Sequence, residues 1–509
     1  MNGLPGSGWC VISQLADACP SVASVAMRIA RQAMPAILES SLDVNGQGRY
    51  SILACRPSVV VRVPVGGRAR PDHPARAPDQ TPDGDGAGVR GSSEIRHSTN
   101  GGAASALSEL AANICQYTDL TDPANSCVGC GWIGFLSYEA GLDLEQITWR
   151  DKPGPDVPLA VFALYDTAAV FDHATGQWRV EAVDRREALD DQSPPARERL
   201  ESLAALLKAA ERDPPEPPIP APRSATRLRP NFTPKAHAER IGRIKEYIFA
   251  GEVYQVNLTT RFSAQSDAPA AELYAQLRRV SPAPFSALLD YGDFSIISAS
   301  PELFLCTEGR RVTTRPIKGT RRRTGDPNED RRLGHELATS EKDRAELTMI
   351  VDLLRNDLGR VCEYGSVRVI DPGAIEEHPT VFHRVATIEG QLRDSLGFRD
   401  LLEATFPGGS VTGAPKIRAM QIISELEPVR RGVYCGAIGR IGLDGAVCLN
   451  VAIRTIVKQG TTVHLHAGGG IVAESDPEQE YDEVLAKLAA LSRAVGCDMA
   501  GLQAEVVRA

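Results

Sequence analysis

Residues 285–306 are FSALLDYGDFSIISASPELFLC, and they decide the class of fold. Two strand-like segments, rich in β-branched and aromatic residues, follow one another here with only a short turn between them. A parallel pair of strands would need a crossover of about a dozen residues or more, which this stretch lacks. Strands succeed one another directly elsewhere in the chain too. The pattern predicts an α+β fold in which antiparallel sheets pack together with helices outside.

Helix-like and strand-like segments continue on both sides of this stretch. Periodicity predicts helices over residues 22–38 and 234–250, and strands over 49–55, 131–138 and 159–171. No repeat of fixed period runs through them, which excludes a repeat architecture.

Two stretches of unusual composition divide the chain. Residues 64–102 are mainly Pro, Gly, Asp and Arg, which bury too little apolar surface to offset the entropy of ordering, so we expect a mobile insertion. Residues 213–222, DPPEPPIPAP, favour an extended linker. The predicted organisation is an N-terminal domain over 1–213, a proline-rich linker over 214–230 and a C-terminal domain over 231–509.

Charge and composition limit the partners and the location. The formal net charge of -9 disfavours nucleic acid as a partner. The N-terminus lacks the basic and apolar regions of a signal peptide, and no stretch approaches the roughly 18–20 apolar residues of a membrane span. The 11 cysteines are scattered and odd in number, which favours reduced thiols. We therefore expect a cytoplasmic protein that contacts no membrane.

One cysteine pair has the spacing of a metal or redox motif. Cys127 and Cys130 are separated by two residues, but no second pair follows at zinc-ribbon distance, and a strand-like segment begins at once. The sequence alone therefore gives this pair little weight as a site.

Two acidic pairs carry more chemical information. Asp343 and Glu346 are three residues apart in a helix-like segment, as are Glu480 and Glu483, so each pair shares one helix face. A solvated face explains either pair alone. Carboxylates on two facing helices would suit Mg²⁺, which keeps several waters and commonly shares its shell with an anionic substrate. Lys487 lies on the face of Glu483, where it forms an exposed ion pair or reaches a substrate carboxylate.

Lys318 in PIKGT and Glu302 in SASPELF are candidates for a nucleophile and an acid. Deprotonating a lysine costs about 4 kcal/mol at neutral pH unless burial or nearby cations lower its pKa, and a closed site can meet that cost. A protonated glutamate can donate its proton to a departing hydroxyl group. A solvated turn lysine and a strand-end glutamate facing water are the alternatives.

A series of motifs in fixed order resembles the chorismate-utilising enzymes, which include anthranilate synthase component I and aminodeoxychorismate synthase component I. Between about residues 231 and 491 the motifs are GEVYQVNL, SASPELF, RPIKGTRRR, DRAELTMIVDLLRNDLGRV, FPGGSVTGAPKIRAM, AIRT and AGGGIVAESDPEQEYDEVLAK. In the N-terminal half AILESS, GRYSILACRP and GWIGFLSYEAG are similar to the family's regulatory and scaffolding domain. The resemblance implies an enzyme that acts on chorismate and uses Mg²⁺.

Two positions favour one branch of that family. Gln255 stands where isochorismate and salicylate synthases have a lysine that activates water, so water addition is not expected. Lys318 stands where anthranilate synthases usually have alanine and aminodeoxychorismate synthases have lysine. Lysine attack at ring carbon 2 of chorismate, followed by ammonia attack at carbon 4, would give 4-amino-4-deoxychorismate, the precursor of p-aminobenzoate and folate.

The resemblance also assigns the remaining roles. Glu302 would be the acid for the departing hydroxyl group. The implied metal site has Glu346 and Glu483 as direct Mg²⁺ ligands, with Asp343 and Glu480 holding its waters. The residues placed on the substrate are Arg454, Tyr434, Lys487, Gly468, His383, Ser410 and Gln255.

Two partners besides chorismate are implied. No cysteine lies in the glycine-rich elbow of a glutamine amidotransferase, so ammonia would come from a separate amidotransferase subunit. The family's tryptophan pocket would be formed by Ser40, Pro284 and Phe285. Bound tryptophan would be inhibitory in an anthranilate synthase and structural in the other branch, while Ser40 as a helix-end cap is the alternative.

Two other functions stay open at this point. One is anthranilate synthase component I with an atypical lysine, which the identity of the product would reveal. The other is a non-catalytic tryptophan-binding subunit that keeps the fold, against which the complete acidic set argues.

Overall fold

The computed structural model describes residues 10–41, 48–65, 94–97, 110–114, 127–184, 194–215, 227–497 and 499. Most of the predicted insertion at 64–102 and the centre of the predicted linker, residues 216–226, lie outside this part of the chain. Within the insertion, residues 94–97 form a strand.

The described strands form two sheets. Sheet 1 contains β1 (Cys10–Leu15), β2 (Ala36–Glu39), β3 (Tyr50–Ala54), β8 (Thr167–Asp172), β9 (Gln177–Asp184), β10 (Arg229–Pro230), β11 (Gln255–Gln265), β12 (Phe285–Asp290), β13 (Ser295–Ser300), β19 (Gly413–Ala414), β22 (Thr455–Gln459) and β23 (Thr462–Ile471). Sheet 2 contains β4 (Val59–Val63), β5 (Glu94–His97), β6 (Gly131–Leu136), β7 (Ala160–Tyr165), β14 (Leu303–Glu308), β15 (Arg311–Arg315), β16 (Ile317–Arg322), β17 (Arg368–Glu377), β18 (Val381–Gln391), β20 (Ala437–Gly442) and β21 (Val447–Val451).

Pairing within these sheets is antiparallel, with β4–β5 as the parallel exception among the described strands. The strand order is β1-β9-β8-β3-β2-β12-β13-β22-β23-β11-β10 in sheet 1, with β19 beside β11, and β16-β18-β15-β14-β21-β20-β6-β7-β4-β5 in sheet 2, with β17 beside β18. The predicted α+β class with antiparallel sheets is confirmed.

Strands from both sides of the predicted linker share each sheet. In sheet 1, β2 pairs with β12, and in sheet 2, β6 pairs with β20. The regions predicted as domains at 1–213 and 231–509 are therefore joined by backbone hydrogen bonds in both sheets. Neither region builds a sheet of its own.

The helices are α1 (Val22–Ile29), α2 (Glu139–Leu144), α3 (Ala196–Ala210), α4 (Pro234–Phe249), α5 (Ala270–Val280), α6 (Pro327–Thr339), α7 (Glu341–Gly359), α8 (Phe398–Thr405), α9 (Lys416–Leu426) and α10 (Pro477–Val495). Within the described ranges, no helix combines the length and apolar character needed to cross a bilayer.

The helix predicted over residues 22–38 is wrong in its second half. α1 ends at Ile29, Met34 has a left-handed φ of 45°, and the last residues of the segment belong to β2. Pro35 explains the break, because proline lacks a backbone N–H and disfavours helix in the residue before it. The segment 159–171 is two strands, β7 and β8, whereas the helix predicted at 234–250 is confirmed as α4.

Two hydrophobic clusters surround the sheets. One combines buried residues of both sheets, such as Val256 in β11 and Phe304 in β14, and so fills the space between them. The other joins sheet 1 to α1, α3, α5 and α10, through residues such as Ile29, Leu277 and Leu488. The helices of the second cluster thus cover the outer face of sheet 1.

A buried arginine ties distant parts of the fold together. Arg431 donates two hydrogen bonds to the carboxylate of Glu427, at 2.6 and 2.8 Å. Its planar guanidinium group lies 4.5 Å from the ring centroid of Tyr138. It also donates to the carbonyl oxygens of Val411, at 2.9 Å, and Asn257, at 2.7 Å. Arg431 therefore fixes β11 and the turn after α8 relative to the end of α9.

We expect Arg431→Met to lower the free energy of unfolding by about 3–5 kcal/mol, because it leaves the buried carboxylate of Glu427 without its cation. Urea denaturation followed by circular dichroism measures the change. Arg332→Met is the control, since Arg332 is 60% exposed in its ion pairs to Glu329 and Glu336 and should cost less than about 1 kcal/mol. Equal destabilisation by the two variants would contradict this account of Arg431.

Candidate active site

A β-bulge directs Lys318 out of sheet 2. Ile317 pairs with Val385 and Thr320 pairs with His383, so β16 has one residue more than β18 between these two pairs. The extra residue falls at Lys318 and Gly319, and the φ of 85° at Gly319 is one that residues with a side chain rarely adopt. A Cβ at Gly319 would also lie 2.9 Å from the carboxylate of Asp343. The bulge thus re-aims the lysine toward the acidic residues of α7.

Lys318 is part-buried among charged groups. Its Nζ donates a hydrogen bond to the carbonyl oxygen of Ser410 at 3.3 Å. Burial lowers the pKa of Lys318 below its ordinary value, and the positive charge of Lys487 adds to this, although the nearby carboxylates of Glu346, Glu302 and Glu483 act in the opposite direction. A larger fraction of neutral amine results at a given pH than for a solvated lysine.

Glu302 is buried and close to Lys318. It accepts a hydrogen bond of 2.5 Å from the hydroxyl group of Ser410 at Oε1. Burial raises the pKa of Glu302 to about 7, against the opposing effects of Ser410, Lys318 and Lys487. The raised pKa makes the protonated form, which can donate, far more accessible near neutral pH than in a solvated glutamate.

The two acidic pairs lie at the starts of two capped helices. The hydroxyl group of Ser340 caps α7 by accepting from the backbone N–H of Asp343 at 3.2 Å. Asp476 caps α10 by accepting from two backbone N–H groups, and Pro477 occupies the first turn. The caps fix where each helix begins, and with it the direction in which the carboxylates of its first two turns point.

The acidic residues interact electrostatically without forming a tight cluster. Burial raises the pKa of Glu346, and Asp343 and Glu483 raise it further. Burial also raises the pKa of Glu480, which accepts from Ser475 at 2.6 Å. For Glu483, burial acts upward, but the lysines, chiefly Lys487, outweigh it and lower the pKa. Within the described residues, no three of these carboxylates have oxygens all within 4.8 Å of one another.

This donor set fits the preferences of Mg²⁺. All donors are carboxylate oxygens, and one or two such ligands with retained waters suffice for Mg²⁺, so a spacing wider than 4.8 Å does not exclude it. Burial, Asp343 and Glu483 raise the pKa of Glu346 against the effect of Lys318 and Lys342, and a bound cation would favour its ionised form. Asp343 departs from the expected arrangement, because its Oδ2 accepts from Arg321 at 3.0 Å.

Lys487 connects α10 to the glycine run of β23. Its Nζ lies 2.6 Å from Glu483 Oε1 and donates to the carbonyl oxygen of Gly468 at 2.9 Å. A Cβ at Gly468 would lie 2.4 Å from the carbonyl oxygen of Leu258, so only glycine fits against β11 here. Lys487 therefore makes both the ion pair with Glu483 and the contact with Gly468. The sequence alone had left open whether this lysine forms an ion pair or binds the substrate.

Arg454 supplies a cation without a fixed partner in the described part of the chain. Its φ of 50° is left-handed, a conformation that is uncommon for arginine, and no salt bridge to its guanidinium group occurs among the described residues. Burial lowers its pKa, while Tyr434 acts upward. Tyr434 stacks on His466 at 4.9 Å between ring centroids. An unpaired guanidinium group beside a fixed phenol suits recognition of a carboxylate.

His383 and Gln255 complete the predicted substrate contacts. Burial lowers the pKa of His383 well below its usual range, helped by the charges of His378 and Arg454, so the ring is neutral near pH 7. Its Nδ1 is 2.9 Å from the hydroxyl group of Thr320. Gln255 is buried, and its Oε1 has no hydrogen-bond partner among the described residues, so it can accept from a bound ligand.

The predicted tryptophan pocket is brought together in part. A Cβ at Gly48 would lie 2.2 Å from the hydroxyl oxygen of Ser40 and 3.0 Å from the carbonyl oxygen of Pro284, so these two residues meet around Gly48. Ser40 directly follows β2, and Phe285 opens the neighbouring β12. Ser40 therefore lies at a strand end and does not cap a helix.

Several residues that contact or influence this site were not predicted from the sequence. Lys342 influences the pKa of Glu346, Glu480 and Glu483, and it stands beside Asp343 in the same motif. Arg321 and Thr320 belong to the motif RPIKGTRRR, but their partners appear only in three dimensions. The remaining residues that were not predicted are Arg431, which also binds the distant carbonyl oxygen of Asn257, and His378, whose ring centroid lies 4.9 Å from that of His383.

The site thus combines a buried acid with a raised pKa, a lysine with a lowered pKa, and carboxylates at the starts of two helices. The chain belongs to the chorismate-binding enzyme family, since the model of that family, described as chorismate binding enzyme, matches residues 75–493.

Individual relatives carry two different names. The chain is 40% identical over 370 residues, 72% of its length and 76% of the relative's, to anthranilate synthase component 1 1 of Haloarcula marismortui. It is 39% identical over 369 residues, 72% of its length and 77% of the relative's, to aminodeoxychorismate synthase component 1 of Bacillus subtilis. The crystal structure of anthranilate synthase component I from Streptococcus pneumoniae superposes with a TM-score of 0.69 and 29% identity, covering 89% of this chain and 93% of that one.

We expect Ser410→Ala to raise the pKa of Glu302 above about 7. The hydroxyl group of Ser410 stabilises the ionised carboxylate, so its loss disfavours ionisation and moves the titration to higher pH. Infrared titration of the protonated carboxyl band, assigned by its absence in Glu302→Gln, measures the shift. Thr412→Val is the control, because Thr412 donates to Gly408 and Gly409 rather than to Glu302. An unchanged or lower midpoint in Ser410→Ala would refute this relation.

Proposed function

We propose that this chain converts chorismate and ammonia into 4-amino-4-deoxychorismate through a covalent intermediate on Lys318. The observation that carries the proposal is that Lys318 and Glu302 both contact Ser410, while burial lowers the pKa of the lysine and raises that of the glutamate. An amine with a lowered pKa beside an acid that can protonate a leaving hydroxyl group is suited to attack the ring. If the lysine attacks carbon 2 first, ammonia can then attack carbon 4, and the nitrogen of the product is at carbon 4.

The first step pairs the two groups in their neutral forms. The lone pair of Lys318 Nζ forms a bond to carbon 2 of the ring while the bond from carbon 4 to its hydroxyl group breaks. Glu302 gives its proton to that hydroxyl group, which departs as water, and so becomes a carboxylate beside the positively charged secondary amine. Burial favours the neutral starting pair, because an ionised lysine and glutamate would both lose hydration in the cleft.

The second step regenerates both groups. Ammonia forms a bond to carbon 4, the ring double bonds shift back, and the bond between carbon 2 and Nζ breaks. The incoming nitrogen loses a proton to the carboxylate of Glu302, which restores the acid and leaves Lys318 neutral. The product carries nitrogen at carbon 4, whereas direct attack of ammonia at carbon 2 would lead to anthranilate.

Other residues hold the substrate. Arg454 and Tyr434 would bind a carboxylate, and the neutral ring of His383 would contact the substrate near the departing hydroxyl group. Glu346 and Glu483 would hold Mg²⁺, with Asp343 and Glu480 around it. The bound ion would neutralise the ring carboxylate.

We also propose two binding partners. The relatives are named component 1, which implies a second component, and for this chain we propose that an amidotransferase subunit supplies the ammonia. Tryptophan would bind where Ser40 and Pro284 meet, beside Phe285. Its binding to the purified chain can be measured by calorimetry.

The identity of the reaction product distinguishes this proposal from anthranilate synthesis. A relative named anthranilate synthase and one named aminodeoxychorismate synthase are about equally similar to this chain, at 40% and 39% identity. The purified chain with chorismate, Mg²⁺ and ammonium salt should form 4-amino-4-deoxychorismate, which an added lyase converts to p-aminobenzoate. Lys318→Ala should lower this activity about 1000-fold or more, as expected for loss of a covalent nucleophile. Lys235→Ala, at an exposed lysine of α4, is the control. Anthranilate as the sole product, or full activity in Lys318→Ala, would reject the proposal.

We expect Glu483→Gln to weaken Mg²⁺ binding by about 10-fold or more, because it removes a charged ligand. Calorimetric titration with Mg²⁺ and the Mg²⁺ concentration for half-maximal activity both measure this. Glu478→Gln is the matched control, since Glu478 is exposed in the first turn of the same helix. Unchanged Mg²⁺ affinity in Glu483→Gln would remove this residue from the metal site.

A further inference from the structure

A compact group of two thiols and one carboxylate lies far along the chain from the motifs of the active site. The Sγ atoms of Cys127 and Cys130 and a carboxylate oxygen of Glu181 all lie within 4.8 Å of one another, and all three residues are buried. Cys127 Sγ donates to Glu181 Oε2 at 2.9 Å. The other oxygen, Oε1, lies 2.6 Å from the guanidinium group of Arg179.

The loop that carries the cysteines has the backbone of a metal-binding turn. Residues 127–131 are CVGCG, and the backbone N–H of Cys130 donates to Cys127 Sγ at 3.2 Å. An N–H bond to sulfur stabilises a thiolate over a thiol. The φ of 143° at Gly131 turns the chain directly into β6. Two cysteines separated by two residues are a common pair of zinc ligands, so spacing and backbone agree.

We propose that Cys127, Cys130 and Glu181 bind a Zn²⁺ ion. Zn²⁺ takes thiolate sulfur at about 2.3 Å and carboxylate oxygen at about 2.0–2.2 Å, which places neighbouring ligand atoms roughly 3.5–3.8 Å apart. The observed atoms need shifts of about 1 Å or less to reach that spacing. These three residues are the protein ligands of the proposed site, and a water molecule would fill the fourth position.

The charges at this site balance with the ion bound. Binding releases the protons of the two thiols, so Zn²⁺ meets two thiolates and the carboxylate of Glu181, which leaves one negative charge. Arg179 supplies the compensating positive charge. Because the thiols must lose their protons to bind the ion, binding competes with protons and strengthens as pH rises.

The ion would fasten one sheet to the other. Cys127 and Cys130 immediately precede β6 of sheet 2, while Glu181 lies in β9 of sheet 1. In the N-terminal part of the chain a metal bridge between these elements would supplement the hydrophobic packing. Its role is structural, and it is independent of the reaction proposed above.

Cobalt binding tests the proposal without an activity assay. The full chain, purified with reducing agent, treated with a chelator and titrated with Co²⁺, should bind one equivalent with a thiolate-to-cobalt charge-transfer band, and added Zn²⁺ should remove the band. Cys127→Ser should weaken the band and lower affinity at least about 10-fold. Glu181→Gln, which keeps the shape of the side chain, should retain the band at lower affinity.

Cys362→Ser, at a buried cysteine elsewhere, is the control and should bind like the unchanged chain. Thermal unfolding should shift to higher temperature with Zn²⁺ in the unchanged chain and in the control but not in Cys127→Ser. Absence of a stoichiometric charge-transfer band in the unchanged chain, or an identical titration in Cys127→Ser, would overturn the proposal.

Discussion

The reaction proposed for this molecule depends on the cost of ionising two buried side chains. Lys318 and Glu302 lie close enough to influence one another, yet burial shifts their pKa values toward each other, downward for the amine and upward for the acid. A solvated pair would be a salt bridge, with the amine unable to attack and the acid unable to donate. Burial makes the neutral pair less costly than it would be in water, and in the proposed mechanism the neutral pair is the reactive form.

The fold holds this pair from several directions. A bulge in sheet 2 aims Lys318, and the turn after α8 presents Ser410 to both groups. The neighbour of Ser410, Val411, is held by Arg431, which also binds the carbonyl oxygen of Asn257 in sheet 1. Strands from both halves of the chain complete both sheets. The positions of the site residues therefore depend on both sheets, each of which contains strands from both halves of the chain.

Much of this arrangement could be predicted from the sequence, and the exceptions have physical causes. Strand succession predicted the α+β class, and the motifs predicted Lys318 and Glu302, which the structure places together. The pairing of β2 with β12 was not predictable, because their register depends on residues roughly 250 positions apart. The helix over 22–38 was predicted from the spacing of apolar residues, which continues past Pro35. Proline lacks a backbone N–H and interrupts the helix there.

The same limit applies to residues that act through partners. Glu181 stands 54 positions from Cys127, so the spacing of the cysteines alone gave no sign of a third ligand. Arg431 lies outside the quoted motifs, and its burial depends on β11 and on the turn after α8. Apolar periodicity describes which face of an element is buried, but not which charged group it meets there.

The central claim is that Lys318 bonds to the substrate ring. Intact-mass spectrometry of the chain, mixed with chorismate and Mg²⁺ in the absence of ammonia and quenched with acid, tests it most directly. The account predicts an adduct with the mass of chorismate less one water, located on the peptide containing Lys318 and consumed when ammonia is added before the quench. An unmodified chain under these conditions, from a preparation that still forms 4-amino-4-deoxychorismate with ammonia, would contradict it.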